Sequence, residues 1–116
     1  MANVLSTSRY KNVKSDLTTA TATVIYTCPP LMTTFVSSIL VSEDTGTADT
    51  ITVTITNGGS VFSLFKVKAV GANGTIELIS NDLVLVSGDI LSVTAATANR
   101  LHVVASLVEV PKSTTA

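Results

Sequence analysis

Thr50-Ile51-Thr52-Val53-Thr54-Ile55-Thr56-Asn57-Gly58-Gly59 alternates β-branched apolar and hydroxyl side chains without a break and then stops at three residues that tolerate positive φ. A period of two puts Ile51, Val53 and Ile55 on one face and the threonines on the other, the pattern of a half-buried antiparallel strand. Asn-Gly-Gly is the chemistry of a tight hairpin turn, so the chain is expected to return antiparallel as a strand over Val61 to Val70.

Reading outward, short strands bounded by turn residues recur on both sides. Ala22 to Thr27 ends at Cys28-Pro29-Pro30, where two prolines withdraw their donors. Thr33 to Ser42 carries Phe35, Ile39 and Val41 on one face and Val36 and Leu40 on the other, which suggests cover on both sides. Downstream, Gly71-Ala72-Asn73-Gly74 leads to Thr75–Ser80, then Leu83–Val86. Ser87-Gly88-Asp89 leads to Ile90–Ala96, and Thr97-Ala98-Asn99-Arg100 to Leu101–Val110. Eight candidate strands and no crossover helix predict an all-β fold, a single antiparallel β-sandwich with jelly-roll-like character. Residues 1–20 show no strict period and read as an extended N-terminal arm. Residues 21–111 read as the sandwich domain and 112–116 as a short C-terminal tail.

Composition agrees with this reading. In 116 residues there are 19 Thr and 13 Ser against seven Lys plus Arg and eight Asp plus Glu, with 46% hydrophobic residues. That is enough apolar material for one core, on a surface that gains little solubility from a net charge of -1. Charge is divided unevenly: residues 1–15 carry +3 from Arg9, Lys11 and Lys14, and the remainder carries -4. The balance excludes a strongly basic nucleic-acid binder. No apolar run reaches membrane-span or signal-peptide length, so synthesis in the cytoplasm without a membrane anchor is expected.

Groups that do chemistry are sparse. Cys28 and His102 are each the sole representative of their type, and a nucleophile–base pair made of them competes with packing roles for both. Glu43, Asp44 and Asp49 crowd one loop with the oxygen-rich look of a calcium site but without EF-hand spacing, so a solvated hairpin loop is the simpler reading and metal binding is left open. Asp89 beside Gly88 reads as turn chemistry. A glycan-binding, lectin-like module needs aromatic platforms, for which only Tyr10 and Tyr26 offer a ring with a polar handle. No catalytic, cofactor or metal residues are expected.

Val24-Ile25-Tyr26-Thr27-Cys28-Pro29-Pro30, then Thr34-Phe35-Val36-Ser37-Ser38-Ile39-Leu40-Val41 and an acidic loop, then Leu85-Val86-Ser87-Gly88-Asp89-Ile90-Leu91-Ser92-Val93 and Val104-Ala105-Ser106-Leu107-Val108-Glu109, form a pattern over residues 22–110. It resembles the small β-sandwich virion proteins of tailed bacteriophages. The resemblance implies a non-enzymatic structural protein located in the virion, bound to the major capsid protein or other virion subunits. Capsid decoration (cement) protein is the first expectation, with a tail, collar or fibre component as the alternative. A homo-oligomer, a trimer by that resemblance, is expected. Arg9, Tyr10, Lys11 and Lys14 of the arm are the expected partner-binding residues.

Overall fold

The computed structural model describes residues 8–111, which form two packed antiparallel sheets and no helix. One sheet has the order β1 (Arg9–Asp16), β9 (Leu101–Pro111), β3 (Met32–Glu43), with β6 (Thr75–Glu77) and β7 (Leu83–Val86) both laid along the far side of β3. We call it sheet A. Sheet B has the order β2 (Thr23–Thr27), β8 (Ile90–Ala95), β4 (Asp49–Asn57), β5 (Ser60–Val70).

The alternating stretch is β4, and its register is as expected. Ile51 and Val53 are wholly buried, while the alternating Thr50, Thr52 and Thr54 lie on the outer face. Asn57 pairs with Ser60, and Gly58 and Gly59 between them both take positive φ, as a two-residue hairpin loop of the primed type requires. The two inner faces meet in one core. Val36, Ile39, Val41, Leu85, Val103, Ala105 and Leu107 come from sheet A, and Ile51, Val53, Leu91, Val93 and Ala95 from sheet B.

Two elements differ from expectation. The first is β3, where a β-bulge falls between Val36 and Ser38. The extra residue resets the alternation, so Val36, Ile39 and Val41 all face the core while Phe35 and Leu40 face outward. Ser37, the bulged residue, donates its hydroxyl to the Ser106 carbonyl on β9. The expected grouping of Phe35 with Ile39 and Val41 assumed an unbroken ladder.

The second is the N-terminal segment. Residues 9–16 are extended, but they are β1, paired residue by residue with β9 from Arg9 opposite Glu109 to Asp16 opposite His102. The segment therefore completes the edge of sheet A within its own chain. Its polar composition hid the strand, because an edge strand buries only one side of one face and needs little apolar periodicity. Leu17 continues it into the core and donates its N–H to the Leu101 carbonyl at 3.0 Å. Residues 1–7 of the expected arm, and the 112–116 tail, lie outside the described residues.

Candidate functional site

Most residues able to do chemistry are taken up by a local structural task. Glu43 ends β3 with its side chain buried and gathers the loop around itself. Thr45 N–H at 2.8 Å, Gly46 N–H at 3.1 Å and Asn73 N–H at 2.9 Å donate to its carboxylate, as does the Thr45 hydroxyl. Burial opposes its ionisation, but these donors outweigh it and hold the carboxyl down to about 2. Asp49 accepts from Thr97 N–H at 3.1 Å, tying two loops. Only Asp44 of the acidic trio projects to solvent, where it sits 3.7 Å from His102 Nδ1. Among the described residues no group of three or more His, Cys, Asp or Glu side chains is placed to hold a metal ion.

Cys28 is buried against Thr34, Sγ to Oγ1 3.4 Å. His102 pairs with Ser42 at the other end of β3. Eight residues of strand separate Thr34 from Ser42, about 26 Å at the strand rise. A Cys–His pair is thus ruled out by the register. Asp89 does what its place beside Gly88 suggests: it accepts from Val86 N–H at 2.9 Å and from Asn57 Nδ2 at 2.6 Å.

One polar cluster crosses between the sheets. Tyr26 of β2 donates its phenol to Glu109 of β9 at 2.5 Å and lies 2.7 Å from the Thr34 hydroxyl. Because the single phenol proton goes to Glu109, Thr34 must be the donor to the Tyr26 oxygen. Burial first, and then the bond to Glu109, push the phenol above its ordinary range. Lys11 approaches the same Glu109 oxygen at 3.6 Å from β1. Tyr26 is therefore a structural tie, and it is unavailable as a platform for sugars.

The four arm residues do not converge. Arg9 and Lys11 take the inner side of β1, at the rim, where Arg9 stands opposite Glu109. Tyr10 and Lys14 point to the outer face of sheet A. Tyr10 is 88% exposed, and Lys14 Nζ donates to Asn12 at 2.7 Å.

The feature sequence reading missed is the surface to which Tyr10 belongs. Register places Val84, Phe35, Val108 and Tyr10 side by side across β7, β3, β9 and β1 on the outer face of sheet A. Val86, Thr33 and Val110 form the adjoining row. Val84 and Val86 remain about half exposed, at 49% and 47%. The alternation of Leu83-Val84-Leu85-Val86, with Leu85 buried, carried the signal, but its outward residues are as apolar as its inward ones. On sheet B the outward residues of β4 and β8 are instead mostly threonine, with Thr52 opposite Thr94 and Thr54 opposite Ser92.

The fold occurs in solved structures. A chain of the Bacillus endospore appendages, described as a novel family of disulfide-linked pili, matches with a TM-score of 0.55 at 18% identity over 92% of this chain and 90% of that one. Two structures of a pentameric capsid protein from metagenomic phage sequences match with TM-scores of 0.42 and 0.43 at 23% and 22% identity. They cover 91% and 95% of this chain and 62% and 66% of theirs. No protein-family model and no curated protein matches. At 18% identity the likeness to the appendage subunit is one of fold.

Proposed function

We propose that this chain is a non-enzymatic assembly subunit, and within that reading a decoration protein that binds and stabilises the outside of a tailed-phage head. The observation that carries the assembly-subunit reading is the apolar surface across the outer face of sheet A. Apolar side chains left in water forgo the burial that stabilises them, and on sheet A they stand side by side across four strands. Sheet B also exposes Val24 and Val61, but there Ser92, Thr54 and Thr56 stand beside them.

The disposition of reactive groups supports the same reading, since the buried thiol lies far from the imidazole, His102 sits at the surface between the Asp16 and Asp44 carboxylates, and the buried carboxylates each have a structural partner. Tyr10 and Lys14 on the outer face, with Arg9 and Lys11 on the rim of β1, are the proposed contact residues toward the shell or sister subunits. A tail or fibre role is the second reading, favoured by a fold shared over nearly the whole chain with a filament-forming pilus subunit. The disulfide linkage of that pilus is not carried over, because Cys28 is 1% exposed and packed inside the sandwich.

Electron microscopy of virions labelled with an antibody against this chain tests the proposal. Label distributed over the head is the expected result. Label confined to the tail replaces decoration by the second reading, and unlabelled particles overturn the virion assignment.

A further inference from the structure

The outer face of sheet A changes character along its strands. The rows Val84–Phe35–Val108–Tyr10 and Val86–Thr33–Val110 make one end apolar. At the other end Asp16, His102, Ser42 and Thr75 line up as a polar row. Between the two ends, Glu77, Leu40, Val104 and Lys14 share a row, with the carboxylate on β6 at one edge of the sheet and the ammonium on β1 at the other.

We infer that this face is the contact between two copies of the chain, packed face to face about a two-fold axis that runs parallel to the strands between β9 and β3. The inference rests on the assembly reading above and names the partner of the same surface. Two independent features select that axis. A two-fold parallel to the strands keeps the apolar end over the apolar end, whereas one perpendicular to them would set Phe35 and Val108 against the polar row. The same operation carries β1 of one copy over β6 and β7 of the other. Lys14 of each then lies above Glu77 of its mate, and Tyr10 above Val84. The contact is isologous and closes at two copies.

The size of the face is adequate. β9 has 11 residues, about 36 Å of strand, and four strand positions span roughly 19 Å, a flat footprint of about 700 Å². With side-chain relief, that matches the roughly 800 Å² per partner of a standard stable interface. Joining copies edge to edge would leave the apolar rows in water. It would also pair a cationic β1 with an edge interrupted between Glu77 and Leu83.

Light scattering coupled to size exclusion, on the full chain at tens of micromolar, is expected to give twice the 12.0 kDa protomer mass. Phe35→Glu and Val108→Glu are each expected to halve that mass, and Thr94→Glu on the outer face of sheet B to leave it unchanged. Because a variant on sheet A could fail to fold, the double variant Tyr10→Cys/Val84→Cys supplies a second readout. On oxidation it is expected to give a covalent dimer and nothing larger, and neither single variant is expected to cross-link. A monomer, a trimer, or a ladder of higher multimers overturns the inference. A monomer that still labels the virion leaves the assembly reading standing and gives the face to a different protein, whereas a monomer absent from the virion removes both.

Discussion

Glu43 is a single carboxylate around which two loops are arranged, and it links pH to stability. Its donors favour the ionised form in the fold, so the unfolded chain takes up the proton more readily. The stabilisation is complete above the ordinary value of 4.5 and is lost as pH falls toward about 2. Glu77 is also lowered, with burial opposing and the Ser38 hydroxyl and the Ile39 N–H prevailing, and acts in the same direction. The melting temperature is expected to hold steady from pH 7 to 5 and fall below 4.5, and Glu43→Gln to flatten that fall while melting lower at pH 7. A variant whose acid profile matches the parent would remove Glu43 from the account. On β4, Ile51→Asp and Val53→Asp each place an unpaired charge in the core and are expected to abolish the folding transition. Thr52 points outward, and its hydroxyl accepts the Val67 N–H at 3.0 Å where β5 bulges. Thr52→Asp keeps an acceptor and is expected to fold, while Thr52→Val should lose about 1 kcal/mol in denaturant melts. Thermal melts that ranked these variants the other way would place the strand one residue out of register.

At the scale of elements, β1 and β9 are the first and last described strands of the chain, and they lie side by side. Deleting residues 1–16 therefore strips the edge of β9 of its partner and removes Lys11 from Glu109. The midpoint is expected to drop by more than about 10 °C, or the cooperative transition to vanish. A truncated chain that melts like the whole one would make β1 a detachable arm after all. What was legible beforehand follows from the range of the interactions involved. The Asn57-Gly58-Gly59 turn and the β4 alternation are local properties, readable in ten residues. The bulge at Ser37 exists only in relation to Ser106 on β9, and β1 exists only in relation to residues 102–109. Neither leaves a mark on its own stretch of chain, because pairing at long range is not encoded in local periodicity. The same holds for the Tyr26–Glu109 tie, whose residues are 83 apart. Tyr26→Phe is expected to leave Glu109 buried with Lys11 alone and to cost on the order of 1–3 kcal/mol in chemical denaturation. An unchanged midpoint would mean that the tie adds no net stability.

The outer faces of the two sheets differ: on sheet B hydroxyl side chains stand beside the exposed Val24 and Val61, and on sheet A apolar side chains run side by side across four strands. Composition announced the first, through the abundance of Thr in an alternating strand. The second was obscured, because Phe35 changes sides at the bulge and Val84, Val108 and Tyr10 are brought together from strands far apart in sequence. Candidate contact residues were sought where charge concentrates, in the N-terminal segment, and of those only Tyr10 and Lys14 lie on the apolar-crossed face. On the proposed reading this face is covered when the protein is at work. Hydroxyl-radical footprinting, comparing the chain at high dilution with the chain in its assembled state, reads this directly at individual side chains. Tyr10, Phe35, Val84 and Val108 are expected to become protected on assembly, while Val24 and Val61 on sheet B continue to be oxidised. Protection confined to sheet B, or equal oxidation of both faces in both states, would contradict that reading.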